Sequence, residues 1–316
     1  ASKRLHPGVT MSDTTARQGD IELLSARLNR IARQHPDLAW ACGYYHDLLT
    51  IQLQAEAETI PFYMDPACLQ TKLAGGEPLL VGEGLPFSVS RAMALCAQVT
   101  AVVESSLDRS AAPAALPEFR SLGEDVSLHH ALRALRQAAI RRDLPLIPVF
   151  YSLLWDDDEP LLKLAQATRL DVSLMHAIVS SCLRPFLHAW RASLAPQVDL
   201  TAWDRPRCPF CGSPPYIAEL RGPDALRYFH CDLCGAEWPY EHLQCPHCAN
   251  RIARLLGSLR PDPSPTSPYA LTCNLCYTYL KVLPTNESLY ASHLPLAHLE
   301  TASLDDLAAN RGYHRM

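Results

Sequence analysis

Residues 208–276 read CPFCGSPPYIAELRGPDALRYFHCDLCGAEWPYEHLQCPHCANRIARLLGSLRPDPSPTSPYALTCNLC. This stretch holds eight of the chain's 12 cysteines, arranged as four C-x-x-C pairs: Cys208/Cys211, Cys231/Cys234, Cys245/Cys248 and Cys273/Cys276. Two residues between cysteines let a tight turn aim both thiolates at one point, and four such turns in one short stretch form a metal-binding pattern. A disulfide framework needs an oxidising compartment. A thioredoxin-type pair opens a helix within a βαβ unit, which this text does not offer.

The pairs repeat. CPFC at 208–211 is echoed by CPHC at 245–248, and CDLC at 231–234 by CNLC at 273–276. Each repeat has the spacing of a zinc ribbon or rubredoxin-like knuckle pair, C-x19-C between knuckles in the first and C-x24-C in the second. The longer spacing accommodates the loop RPDPSPTSP at 260–268. β-Branched and aromatic residues at Tyr216-Ile217, Leu226–Phe229 and Thr278–Val282 mark strands between and after the knuckles. The repeat favours two sequential sites, with an interleaved RING-like pairing as the alternative. A ribbon this small folds largely on metal-binding free energy. Four thiolates close the coordination sphere, which leaves no open position for hydrolytic chemistry. Zinc and iron both accept tetrahedral sulfur, so spacing leaves the metal open.

The remainder reads as helix. Ile21, Leu24, Leu28 and Ile31 recur at helical spacing until His35-Pro36, and further helices are expected over 38–58, 87–107, 126–142 and 172–194. Met93, Cys96, Val99 and Val103 line one helical face as core. Cys42, Cys68, Cys96 and Cys182 lie in apolar text and are expected to be small buried hydrophobes. The acidic run Asp156–Glu159 reads as a solvated helix terminus, and Ser303 with Asp306 as a capping box for a last short helix. The fold class expected is therefore multi-domain: an all-α N-terminal domain followed by two tandem rubredoxin-like or zinc-ribbon β modules. Its segments are an extension at 1–19, the helical domain at 20–204, ribbons at 205–242 and 243–285, and a C-terminal helical segment at 286–316.

Several functions are disfavoured. The chain of 316 residues carries 28 Lys/Arg against 33 Asp/Glu, a net charge of −5, where a nucleic-acid partner calls for a basic excess. With only 13 Gly, and Gly82-Glu-Gly84 lacking a third glycine at dinucleotide spacing, no phosphate loop is expected. Neither H-E-x-x-H nor G-x-S-x-G occurs, so the chain reads as non-enzymatic. The most apolar stretch, Leu144–Trp155, is 12 residues long and carries two prolines, against ~20 needed to span a bilayer. The opening residues have no apolar core of a signal peptide, and the expectation is a cytoplasmic chain without membrane insertion.

The ribbon text resembles the formate dehydrogenase accessory protein family, FdhE. The similarity is carried by Cys208-Pro-Phe-Cys-Gly-Ser-Pro-Pro215, by Leu226-Arg-Tyr-Phe-His-Cys-Asp-Leu-Cys-Gly-Ala-Glu-Trp238, by Cys245-Pro-His-Cys248 and by Cys273-Asn-Leu-Cys-Tyr-Thr-Tyr-Leu-Lys-Val282. It extends to Asp305-Asp-Leu-Ala308 and Gly312-Tyr313, covering roughly residues 205–315. The resemblance implies a cytoplasmic maturation factor that binds the catalytic subunit of a respiratory formate dehydrogenase before its export. It also implies two rubredoxin-type iron ions, one on Cys208, Cys211, Cys231 and Cys234 and one on Cys245, Cys248, Cys273 and Cys276, with zinc as the alternative. One position departs from the family: Tyr277 follows Cys276 where the pattern has Gly, so the last turn is expected to be looser.

Two other functions compete, a nucleic-acid-binding zinc ribbon and a rubredoxin-like redox or oxygen-sensing protein. Between 205 and 285 there are eight Arg/Lys and six Asp/Glu, and two divalent tetrathiolate centres would turn that small excess negative, against phosphate binding. Candidate partner contacts beside the first site are Arg227, Tyr228, His230 and Trp238. Tyr, Trp and Arg are favoured at binding hot spots, although the two aromatic residues also suit a ribbon's small core.

Overall fold

The computed structural model describes residues 11–108, 126–240, 243–285, 289 and 291–315. Residues 1–10 of the expected N-terminal extension lie outside the described residues, as do 286–288, 290 and 316 of the C-terminal segment. From Met11 the chain is already helical: α1 (Met11–Gln34) starts well before the apolar periodicity that marks it at Ile21. It ends at the expected His35-Pro36, where a 3-10 turn leads into α2 (Ala39–Glu58). A third helix, α3 (Pro66–Gly75), was not expected. Its signals are local: the Asp65 carboxylate accepts from the backbone N–H of Ala67 (2.9 Å) and Cys68 (3.3 Å), and Gly76, at φ +69°, ends it.

Helices α4 (Val89–Asp108) and α5 (Val126–Arg141) follow, then α6 (Leu146–Leu154). The two prolines of this apolar stretch do not prevent a helix. Pro145 is the N-cap and Pro148 lies in the first turn, where an N–H would have no intrahelical partner. Asp156–Asp158 form the exposed approach to α7 (Glu159–Thr168), as expected of the acidic run. Helix α8 (Val172–Leu194), capped by the Asp171 carboxylate, is the centre of the helical layer. It buries thirteen side chains, Trp190 among them, against α2, α4, α6 and α7. Met93, Cys96, Val99 and Val103 are buried as expected. Cys42, Cys96 and Cys182 are buried too, but Cys68 is exposed, because it falls in the first turn of α3 on its solvent side.

Each knuckle repeat contributes three strands: β1 (Ile217–Arg221), β2 (Leu226–His230) and β3 (Glu237–Pro239), then β4 (Leu256–Leu259), β5 (Tyr269–Cys273) and β6 (Thr278–Thr285). The repeats do not stand apart. β1 pairs in parallel with β6, Ile217 opposite Lys281, which joins them into one sheet in the order β3-β2-β1-β6-β5-β4. Two short helices, α9 (Leu294–Glu300) and α10 (Ala302–Ala309), then lead to β7 (His314–Arg315), which pairs in parallel with β6. The Ser303/Asp306 capping box does not form. Thr301 occupies the N-cap position and its hydroxyl donates back to the Ala297 carbonyl (2.8 Å), so Ser303 is inside the helix. Arg27 of α1 reaches Glu300 of α9 at 2.6 Å.

Helices and sheet share one core, in which Trp190 and Leu194 belong to the same cluster as Phe210, Phe229 and Trp238. Among the described residues, no single helix is long and apolar enough to cross a membrane. The closeness of the two layers is testable at glycine. Gly235, at φ +68°, has no room for a Cβ, which would sit 2.7 Å from the Ala291 Cβ. Gly222, at φ +67°, has nothing within 4 Å. Gly222→Ala is expected to cost about 1 kcal/mol, the left-handed penalty alone. Gly235→Ala is expected to cost about 2–4 kcal/mol, the same penalty plus overpacking. Urea unfolding midpoints of the metal-loaded chains measure the difference.

Candidate metal centres

All four knuckles share one backbone geometry. The N–H of the residue after the second cysteine returns to the carbonyl of the first: Gly212 to Cys208 (3.0 Å), Gly235 to Cys231 (2.9 Å), Ala249 to Cys245 (3.0 Å) and Tyr277 to Cys273 (2.8 Å). Closing the turn this way puts that residue in the left-handed region, at φ +78°, +68°, +57° and +57° respectively. The first repeat fills both positions with glycine. The second fills them with Ala and Tyr, each carrying a left-handed penalty of about 1 kcal/mol.

The turns bring the cysteines together in the sequential pairing. Cys208, Cys211, Cys231 and Cys234 form one cluster, and Cys245, Cys248, Cys273 and Cys276 a second, with the sulfurs of each all within 4.8 Å of one another. The Sγ···Sγ separations are 3.4 Å for Cys208–Cys234 and Cys211–Cys231, and 3.6 and 3.7 Å for Cys245–Cys276 and Cys248–Cys273. Tetrahedral ligation at ~2.3 Å per metal–sulfur bond places sulfurs about 3.8 Å apart. Both clusters therefore fit one metal ion each, and their donor chemistry admits zinc or iron.

The centres differ in their surroundings. The first is clamped between two elements of the helical layer. From one side the loop after α3 pairs with the first knuckle, Leu79 N–H to Pro209 O (2.9 Å) and Leu80 N–H to Phe210 O (2.8 Å). From the other, one face of α8 grips the second knuckle. Arg184 binds Asp232 at 2.6 Å, Arg191 donates to the Cys234 carbonyl at 3.3 Å, and His188 lies against Gly235. All four cysteines are buried as a result. In the second centre Cys245 and Cys273 are buried, but Cys248 and Cys276 reach the surface. Leu243, Ile252, Leu275 and Tyr277, each within four residues of one of these cysteines, are exposed.

Burial opposes ionisation of Cys211, but hydrogen bonding with Cys208, Cys231, Cys234 and Ser213 outweighs it and holds that thiol well below its ordinary range. Burial pushes Cys231 and Cys234 up. In the second centre burial pushes Cys248 up to about 12, whereas backbone N–H groups of Cys276 and Leu275 and the Asn250 amide overcome burial at Cys273 and bring it to about 7.

The four residues singled out beside the first centre are not one surface patch. Trp238 is fully buried, edge-on to Phe229 with ring centroids 5.8 Å apart. His230 is buried with its Nε2 2.7 Å from the Glu219 carboxylate. Both belong to the interior: Trp238 of β3 packs into the core shared with the helices, and His230 of β2 is held by buried Glu219 of β1. Arg227 and Tyr228 are half-buried, and the Tyr228 ring lies 4.1 Å under the Arg221 guanidinium. Glu219, His230 and Glu237 converge closely enough to hold a cation. Arg221, within 2.7 Å of both carboxylates, already supplies the positive charge, and the set reads as an ion network.

A further buried cluster has no counterpart among the residues singled out from sequence. Lys281 of β6, about 1% exposed, places its Nζ 2.5 Å from Asp305 and 2.9 Å from His298 Nδ1. The Tyr279 hydroxyl donates to Asp305, and the Arg315 guanidinium lies 2.8 Å from His298 and 4.1 Å over the Tyr216 ring. The one signal in the text was a lysine inside the strand run Thr278–Val282.

This architecture has known counterparts. Residues 207–242 match the family model of the FdhE central domain. An FdhE homologue from Stutzerimonas stutzeri is 39% identical over 120 residues, and one from Pseudomonas aeruginosa 32% identical over 152. These matches take in 35% and 44% of this chain, and the chain spans only 37% and 49% of the length of those relatives. The crystal structure of the FdhE protein from Pseudomonas aeruginosa superposes with a TM-score of 0.55, covering 92% of this chain and 91% of that one. At 22% identity that likeness concerns the fold. The resemblance to FdhE proteins read from the cysteine signature is thus borne out.

The asymmetry of the two centres predicts an order of metal loss. Under a chelator the metal on Cys245, Cys248, Cys273 and Cys276 is expected to leave first, while the clamped centre keeps its ion until the fold opens. Tyr277→Gly, which removes a left-handed penalty of about 1 kcal/mol, is expected to slow that first phase severalfold. Stopped-flow metal release, with stoichiometry by elemental analysis, measures both.

Proposed function

We propose that this relative of the FdhE proteins is an accessory factor that binds the catalytic subunit of a respiratory formate dehydrogenase in the cytoplasm and assists its maturation before export, without itself catalysing a reaction. The support is of two kinds. The knuckle signature and the fold are those of FdhE proteins. The site chemistry agrees with a binding role: four-thiolate centres leave a metal no open position for a substrate. On this reading Cys208, Cys211, Cys231 and Cys234 hold one iron ion, and Cys245, Cys248, Cys273 and Cys276 hold another.

The observation that carries the binding role is the exposed apolar rim of the second centre. Leu275 and Tyr277, each 56% exposed, flank Cys276, which itself reaches the surface, and Leu243, 79% exposed, stands two residues before Cys245. Large apolar side chains gathered at one exposed feature mark an interaction face. The rim is held rigidly because its residues are tied to the knuckle turns, so little ordering cost opposes docking.

Exposure of Cys248 and Cys276 also favours a second reading, in which this centre exchanges an electron with the client. The two readings separate by metal. If the zinc-loaded chain supports client activation as fully as the iron-loaded chain, the electron-transfer reading fails.

Affinity co-purification from anaerobically grown native cells tests the binding role. Recovery of a formate dehydrogenase catalytic subunit is expected. Leu275→Asp with Tyr277→Asp should reduce it at least about fivefold, the loss expected of a contact hot spot, with both metals retained. Undiminished recovery would remove the rim from the interface, and recovery of nucleic acid instead of the subunit would overturn the function.

A further inference from the structure

A cavity of about 940 Å³ separates α8 from the sheet. Its helical wall includes Tyr45, His176 and Arg184, the knuckle side contributes Arg207 and Ser213, and the sheet side contributes Tyr216, Lys281, His298 and Arg315. The cations on the helical and knuckle sides are already balanced, Arg184 by Asp232 at 2.6 Å and Arg207 by Asp156 at 2.9 Å. Those on the sheet side are not. Lys281 binds Asp305 directly, whereas Arg315 draws on Asp305 and Asp232 only at a distance and spends its N–H groups on His298 and, at 3.4 Å, on the Tyr216 carbonyl. Among the described residues no carboxylate forms an ion pair with Arg315.

The intervening imidazole supplies no negative charge. Burial, with Arg315 and Lys281 beside it, holds His298 well below its ordinary range, so it is neutral. With Lys281 protonated the cluster carries one positive charge more than Asp305 balances in a largely buried place, which is costly unless an anion joins it or the lysine gives up its proton. Its response is visible in Lys281, whose ammonium burial pushes down to about 7 in spite of Asp305, with Arg315 adding to the effect.

We propose that this cavity binds a carboxylate, seated on the Arg315 guanidinium beside Lys281 and against the Tyr216 ring. A planar guanidinium held at a fixed angle matches a carboxylate with two parallel hydrogen bonds. The excess of a single charge selects a monoanion over a phosphate dianion. Pairing of β7 with β6 fixes Arg315 opposite Tyr279, so the donor is in place before the ligand arrives. The cavity is far larger than one carboxylate group and can take in the body that carries it, whether a peptide segment with an acidic side chain or a small free acid. The site is independent of the apolar rim of the second centre and of the client's identity.

The test is calorimetric titration of the full chain, both centres metal-loaded, at constant ionic strength. The probes are acetate, a blocked hexapeptide with one glutamate, and inorganic phosphate. Saturable binding of either carboxylate, weakened about tenfold by Arg315→Gln and only partly restored by Arg315→Lys, which returns the charge but not the fork, is the expected result. Preference for the peptide assigns the carboxylate to a chain segment, and equal affinity for acetate assigns it to a free acid. Absence of saturable carboxylate binding, equal binding by Arg315→Gln, or tighter binding of phosphate overturns the proposal. Should Arg315→Gln not fold, hydrogen exchange on the unmodified chain decides: the better carboxylate must protect amides at 216–217, 279–281 and 314–315, and no protection there overturns it.

Discussion

The grip of the helical layer on the first four-cysteine centre is the constraint from which the other features follow. A ribbon of this size cannot bury enough apolar surface to stand alone, and a tetrathiolate metal supplies on the order of 10 kcal/mol toward its fold. Here that free energy is not confined to the ribbon. The knuckles at 208–212 and 231–235 are hydrogen-bonded to the loop after α3 and to Arg191 of α8, while Arg184 holds Asp232 inside the second knuckle. Folding of the ribbon and seating of the helices are thereby one event. The two glycines that close these knuckles serve this contact twice over, because they accept a left-handed turn and because a side chain there would press on Pro78 at one and on His188 of α8 at the other.

The second repeat meets different demands. Its sheet is fused to the first through β1 and β6, so it needs no clamp of its own. Without that clamp its knuckles face solvent, and Ala249 and Tyr277 occupy the left-handed positions at some cost. Less buried ligands, a strained turn and an apolar rim occur together. That combination suits a surface that meets another protein better than it suits a purely structural staple. The sheet fusion has another effect: it brings Lys281 and, through β7, Arg315 to the cavity under α8, so the junction of the two layers is also a lined cleft.

Much of this was legible in the text. Four C-x-x-C turns and their internal repeat gave the sequential pairing, because a knuckle is a local structure whose geometry depends on a few adjacent residues. The long helices were legible for the same reason, since Leu24, Leu28 and Ile31 or Met93, Cys96 and Val99 declare a buried face by spacing alone. What was not legible depended on distant neighbours. Trp238 and His230 looked suited to a contact patch, and only packing of the sheet against the shared core and the buried pairing with Glu219 take them inside. Helix α6 was obscured by prolines that proved harmless in its first turn. Lys281 gave no sign of Asp305 or Arg315, because parallel pairing of β7 with β6 has no local signature.

Hydrogen exchange on selectively demetallated chains tests the central claim, that the first centre locks helices and sheet together while the second does not. With the first centre disabled by Cys208→Ser and Cys231→Ser, amides of α8 near 184–191 and of residues 79–80 should lose protection by orders of magnitude. With the second disabled by Cys245→Ser and Cys273→Ser, they should exchange as in the unmodified chain. Unchanged protection in the first variant, or equal loss in both, would contradict the account.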